Sequence, residues 1–202
     1  MTEQDIGAGI REAVVARGRI EGSLIKVDDF LNHRVEPALM AQIGADLAHL
    51  LRPSRPSLIL TAEASGIPPA LAVATHLGID MVYAKKYPRT TSARPSFVRE
   101  VSSPTKGDEY RVEVARRVLG SGERVVIVDD FLSRGRTAEA LGEIVEEAGS
   151  AVVGFGFVIE KAYMEGRSRL AAHGWQVASL VSILSLDDGL DLTPGGPATG
   201  NG

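Results

Sequence analysis

The 202 residues, 44% hydrophobic and 24% charged, suffice for one globular domain with a proper core. Cysteine is absent, which excludes disulfides, thiol nucleophiles and thiolate metal sites together, and the net charge of −4 argues against a protein that coats nucleic acid. No apolar run approaches the about 20 residues that span a bilayer. The N-terminus is acidic rather than signal-like, so a cytoplasmic location with no membrane partner is expected.

In chain order, a helix is predicted around Ile6 to Arg17, then strand character from Ser23 to Val27 and a short segment from Phe30 to Pro37. Pro37 suits the first turn of a second helix, where its missing N–H costs little, and Leu39, Ile43, Leu47, Leu50 and Leu51 give that helix an apolar stripe. Leu58 to Thr61 reads as the first core strand, Pro68 to Leu77 as a helix closed by Gly78, and Met81 to Ala84 as the next strand. From Tyr87 to Tyr110 the chain is polar and proline-containing with weak periodicity, which predicts a long irregular segment; such segments are often functional. Between Val82 and Arg117, nine Lys and Arg face four acids, an excess fit for a small polyanion. Val125 to Val128 is a strand, Ala138 to Ala148 a helix ending at Gly149, and Ala151 to Ile159 a returning strand, a βαβ unit that predicts a parallel sheet. A short helix from Arg167 to Ala172, a strand from Val177 to Ile183 and a flexible tail over 193–202 complete the chain.

The most informative stretch is Val125-Val-Ile-Val-Asp-Asp-Phe-Leu-Ser-Arg-Gly-Arg-Thr137. Four β-branched residues suit a strand buried on both faces. Asp129 and Asp130 then fall at its carboxyl end, where open α/β sheets bind ligands. Ser133, Arg134, Gly135 and Arg136 turn the chain into a helix beginning near Thr137, so free N–H groups point at whatever occupies the loop, and a phosphate suits them. A sugar phosphate offers both the anion and hydroxyls for the acidic pair. The bland alternative is an acidic pair that ends a strand and solvates a turn. Neither the glycine-rich run closed by Lys-Ser or Lys-Thr nor the dinucleotide Gly-x-Gly-x-x-Gly is present. His33, His49, His76 and His173 lack metal-ligand spacing and are expected to be packing or surface residues.

This segment resembles the phosphoribosyl pyrophosphate motif of the type I phosphoribosyltransferases. The resemblance runs from Ile20 to about Leu186 and is nearest to the bacterial members that act on xanthine, through Lys26-Val-Asp-Asp-Phe-Leu-Asn-His33, Glu63-Ala-Ser-Gly-Ile-Pro-Pro-Ala70 and Val158-Ile-Glu-Lys161. It implies an α/β fold with a central, mostly parallel sheet flanked by helices, carrying a small hood and a flexible flap. One domain is expected over 1–192, with the hood at about 20–36 plus the C-terminal segment and the flap at about 87–110.

The resemblance also implies roles. Asp129 and Asp130 hold the ribose hydroxyls, and the loop of Ser133, Arg134, Gly135, Arg136 and Thr137 wraps the 5-phosphate; Arg134 stands where many members carry Thr. Ala64, Ser65 and Gly66 match the pyrophosphate loop, and Lys85 and Lys86 match a basic pair facing the leaving group, although charge alone reads equally as a solvated strand end. Ser103, Thr105 and Lys106, with Ser102 and Tyr110, match the flap that closes over the reacting centre; from composition alone they are a surface loop. Ile25, through its backbone, Asn32 and Lys161 contact xanthine. From the letters alone, Lys161 is a donor suited to a purine carbonyl or a partner for Glu160 or another acid, and Asn32 is a base ligand or a turn residue. Magnesium is expected to arrive on the substrate, without a cage of protein ligands. A homodimer acting on phosphoribosyl pyrophosphate and xanthine is the implied assembly. Regulators of this fold that bind phosphoribosyl pyrophosphate carry an added DNA-binding domain, for which the about twenty residues before the resemblance leave no room, so an enzyme is expected.

Overall fold

The computed structural model describes residues 6–22, 24–88, 95–102, 109–186 and 190–194. Eight strands form one sheet in the order β10-β9-β8-β7-β3-β4-β6-β5, from β3 (Leu58–Ala62), β4 (Asp80–Pro88), β5 (Ser96–Ser102), β6 (Glu109–Ala115), β7 (Arg124–Leu132), β8 (Ala151–Lys161), β9 (Val177–Ser185) and β10 (Asp191–Pro194). The five central strands, β9, β8, β7, β3 and β4, are parallel; β10 at one edge and β5 and β6 at the other are antiparallel. A separate hairpin of β1 (Arg19–Glu21) and β2 (Leu24–Lys26), followed by one π-helical turn at Asp28–Asn32, stands where the hood is expected.

Side-chain alternation along the central strands splits the core into two layers. Ile59, Val126, Val128 and Val158 face α1 (Ala8–Arg17), α2 (Pro37–Leu51) and α3 (Ile67–Leu77), where Ile10, Ile43, Leu47 and Val73 are buried. Leu60, Ile127, Phe155 and Phe157 face α4 (Arg136–Glu147) and α5 (Gly166–Ala171), with Leu141, Ile144, Leu170 and Trp175. The crossover helix α3 therefore lies on one face and α4 on the other. The chain winds outward from β3 to β4 in one direction and from β7 through β8 to β9 in the other. Neighbouring β3 and β7 flank the switch point, and a crevice opens outside their carboxyl ends.

The structure departs from the sequence reading along the edge. Tyr87 to Tyr110 is not irregular throughout: β4 continues to Pro88 and β5 pairs with β6 in a ribbon. Phe97 and Val101 share a buried face with Val112 and Val114, a period-two signal interrupted in sequence by Arg99. Arg99 belongs on that face because it pairs with Glu143 at 2.8 Å and Glu147 at 2.6 Å on α4, partners some 45 residues away in the chain. The expected flap residues Ser103, Thr105 and Lys106 lie outside the described residues, as does Ser23. At the C-terminus, Thr193 and Pro194 are not tail but the end of β10, registered against Ser182 and Val181. The free edge of β9 supplies partners for that strand, and an edge tolerates proline. Among the described residues no helix is long and apolar enough to cross a membrane.

Candidate active site

The acidic pair does not end its strand: β7 continues through Leu132, because β8 extends beside it and pairs Phe131 with Ile159 and Leu132 with Glu160. Successive strand residues point to opposite sides, so the two carboxylates are held differently. Asp130 is buried and accepts hydrogen bonds from Asn32 Nδ2 at 2.9 Å, Ser65 Oγ at 3.1 Å and the Phe131 amide at 3.0 Å. Asp129 Oδ1 accepts from the Asp130 amide at 2.9 Å. Burial, and then the Asp130 charge beside it, push the Asp129 carboxyl well above the usual carboxylate range; Lys86 pulls the other way. A carboxylate kept at that cost is poised to gain from hydroxyl donors and cations.

The loop after β3 closes the other wall. The Glu63–Ala64 peptide is cis, and Glu63 Oε1 accepts from the Lys86 amide at 2.8 Å, which fastens this loop to β4. Gly66 leads into α3, and a Cβ built on it would stand 2.2 Å from Thr61 Oγ1 and 2.4 Å from Asp129 Oδ1. Only glycine lets this loop lie against the acidic pair. Across the crevice, Gly135 takes a left-handed conformation (φ 73°) as the residue capping α4, and the first turn of that helix opens into the cavity. Helix α5 braces the phosphate loop from behind. Arg169 Nε donates to the Arg134 carbonyl at 2.9 Å, Arg169 pairs with Glu139 at 3.1 Å, and a Cβ on Gly166 would meet the Ser133 carbonyl oxygen at 2.3 Å.

A cavity of about 330 Å³ results, lined by Ser65, Lys86, Asp129, Asp130, the loop from Ser133 through Thr137, and also Val101, Tyr110, Phe131, Leu132 and Ala138. Of the predicted residues, Lys85 is not brought here. Alternation along β4 turns it to the opposite face from Lys86, where it lines a second cavity with Tyr83, Tyr87 and Arg117. Arg134 borders the cavity, with its Nε 3.8 Å from Glu165. Ala64 and Gly66, predicted beside Ser65, are not among the lining residues. Among the described residues no three His, Asp or Glu converge as a metal cage.

Of the predicted base contacts, Asn32 bonds to the acidic pair and Lys161 stands over Phe131 in the cavity wall, while none of Ile25, Asn32 and Lys161 is itself among the lining residues. Asn32, in the π-helical turn after the hairpin, reaches the pair through its bond to Asp130, and Ile25 lies on β2, its side chain buried. Lys161 ends β8 with its Nζ 5.7 Å from the centroid of the Phe131 ring, and Phe131 lines the cavity. The alternative pairing of Lys161 with Glu160 does not occur: Glu160 points to the other side of the strand and is taken by Arg167, at 2.7 Å through Nε and again through Nη2, and by Ser179 Oγ at 2.9 Å. Among the described residues Lys161 forms no ion pair, and burial alone pulls its ammonium below the usual lysine range. Sequence reasoning left Phe131 and the bracing Arg169 unassigned; neither carries a local signal, since each acts through strand register or helix placement.

Residues 37–181 match the family model of the phosphoribosyl transferase domain. The chain is 46% identical over 190 residues to xanthine phosphoribosyltransferase of Chloroflexus aurantiacus, covering 94% of this chain and 88% of the relative. It is 43% identical to xanthine phosphoribosyltransferase of Geobacillus thermodenitrificans, covering 89% and 93%. The adenine phosphoribosyltransferase of Saccharomyces cerevisiae superposes with a TM-score of 0.67 at 25% identity, over 82% of this chain and 96% of that one. With an acidic pair, a helix-capped anion loop and a glycine-bearing loop meeting at the sheet's switch point, and with these similarities along nearly its whole length, the chain belongs to the type I phosphoribosyltransferases, within the xanthine phosphoribosyltransferase family.

Proposed function

We propose that the protein transfers the 5-phosphoribosyl group of phosphoribosyl pyrophosphate to a ring nitrogen of xanthine, releasing pyrophosphate and forming xanthosine 5-monophosphate in purine salvage. The observation that carries this reading is an acidic pair and an anion loop that line one cavity, with buried Lys161, in no ion pair among the described residues, standing over the ring of Phe131 in the cavity wall. The loop of Ser133 through Thr137 and the first turn of α4 take the 5-phosphate. Asp129 and Asp130 take the ribose hydroxyls and stabilise the positive charge that develops at C1 as the bond to pyrophosphate breaks. Lys86 and the backbone of Ala64, Ser65 and Gly66 face the departing pyrophosphate. Magnesium carried by the diphosphate would supply charge neutralisation there, a role suited to a hard cation that keeps water and takes few protein ligands.

Base choice follows from donor chemistry. Lys161 has three donors and no acceptor capacity, which suits a purine carbonyl and mismatches the amino group of adenine; the Asn32 amide can donate to the second carbonyl of xanthine. The test supplies magnesium and phosphoribosyl pyrophosphate with xanthine, guanine, hypoxanthine or adenine and separates the nucleotide products by chromatography. Xanthosine monophosphate is expected to dominate, and Lys161→Ala to lower kcat/KM for xanthine by roughly tenfold to a hundredfold, as for one lost charged hydrogen bond. Unchanged selectivity in that variant would remove Lys161 from the base site. Binding of phosphoribosyl pyrophosphate without turnover of any base would overturn the enzymatic reading.

A homodimer completes the proposal. The face around Lys85 exposes Tyr83, Tyr87 and Val118, each more than a third accessible, beside a second cavity of about 330 Å³. Sedimentation velocity is expected to give twice the chain mass of 21.4 kDa, and Tyr83→Glu to shift the protein towards the single chain. A monomer at all concentrations would refute this part.

A further inference from the structure

Tyr110 carries an inference beyond this assignment, and one that rests on it. The residue sits on β6, registered against Val101 of β5 and Pro88 of β4. Its side chain does not turn to solvent. The phenol oxygen lies 2.7 Å from Thr137 Oγ1 in the first turn of α4, and Lys86 Nζ stands 5.7 Å from the centroid of its ring. Tyr110, Thr137 and Lys86 all line the same cavity. One aromatic side chain thus meets Thr137 of the anion loop through its hydroxyl and Lys86 through its ring.

Hydroxyl chemistry says what this pair can do. Tyr and Thr each own one proton and can each accept. Bonded to one another they spend one proton and leave the other free. A phosphate ester carries several strong acceptor oxygens, so it can take both protons, and each hydrogen bond gains from the ligand's charge. We propose that Tyr110 is a ligand of the 5-phosphate: its phenol, bonded to Thr137 without substrate, turns to the phosphate when the substrate enters, which ties β6 to an occupied phosphate loop. The lysine over the ring holds the phenol near the loop in both conditions.

Tyr110→Phe is the informative substitution, because it keeps the ring under Lys86 and removes only the hydroxyl. Isothermal titration of wild type and variant with ribose 5-phosphate, phosphoribosyl pyrophosphate, pyrophosphate and xanthine reads the effect. Ribose 5-phosphate and phosphoribosyl pyrophosphate are expected to bind roughly tenfold more weakly to the variant, as for one lost hydrogen bond to a charged group. Pyrophosphate and xanthine, which lack the 5-phosphate, should bind as to wild type, with an unchanged Tm. Equal affinity of both proteins for ribose 5-phosphate would overturn the role of Tyr110 and leave the assigned function standing. Uniform weakening of every ligand with a lowered Tm would mean a structural hydroxyl and would also overturn it. Failure of the wild type itself to bind either ribose phosphate would instead sink the assignment of the loop.

Discussion

Asp129→Asn is expected to raise the Tm of the ligand-free protein while it lowers kcat/KM, whereas Asp130→Asn should lower both. The difference comes from what each carboxylate touches. Asp129 accepts one backbone N–H, which an Asn oxygen can also accept, and its charge is opposed by burial and by Asp130. Asp130 has three donors, among them the Asn32 amide, which would meet a second NH2 group in the variant. The sign of the pH dependence follows for Asp129. Its pKa is raised in the folded protein, so folding takes up a proton; the stability linked to it is full below the unfolded value of 3.8 and is lost as pH rises through the folded value. The gain in Tm from Asp129→Asn should therefore be absent near about pH 3 and grow towards neutrality. On the kinetic side, each lost charged hydrogen bond is worth about 1.5–3 kcal/mol, so the double variant should lose about 10²–10⁴ in kcat/KM with phosphoribosyl pyrophosphate. Turnover within a few-fold of wild type would contradict the ribose role of the pair. A Tm for Asp129→Asn below that of wild type at neutral pH would contradict the strain assigned to it.

That trade of stability for a charged site explains which parts of this molecule were legible in the letters. Val125 to Thr137 was readable because its physics is local: β-branched residues for a doubly covered strand, and a turn glycine before a helix. Pro37 and the apolar stripe behind it located α2 for the same reason. The β5–β6 ribbon was not readable. Arg99 is inward-facing through carboxylates on α4, and a charge satisfied from another element looks, in sequence, like a surface charge. Lys85 and Lys86 read as a pair, yet period-two alternation inside β4 sets them on opposite faces, and the strand's true length became visible only with its partner β6. Lys161 shows the converse. Its letter neighbour Glu160 offered an obvious salt bridge, and only the three-dimensional claim of Arg167 on Glu160 leaves Lys161 available.

Arg167 therefore sustains two things at once, the stability of the sheet and the availability of Lys161. Glu160 is 2% exposed and is held by the fork of Arg167 and the Ser179 hydroxyl, while Arg167 Nη1 also donates to the Val177 carbonyl at 2.9 Å. Arg167→Met keeps the aliphatic packing of the stem but strands a buried carboxylate, which costs about 3–5 kcal/mol. For a domain of this size each kcal/mol shifts the Tm by roughly 2–4 °C, so a loss of roughly 6–20 °C is expected by calorimetry. Adding Glu160→Gln removes the stranded charge and should restore most of it, because a neutral amide retains Ser179 as a partner. The double variant is the more telling measurement for function. Glu160 and Lys161 lie on opposite sides of β8, so base selectivity in the refolded double variant should match wild type even though the neighbouring ion pair is gone. A shift of selectivity from xanthine towards hypoxanthine or adenine would show that Arg167 and Glu160 set the position of Lys161 as well as the stability of the strand. A Tm within about 2 °C of wild type in the single variant would show that Glu160 is not the costly buried charge its surroundings imply.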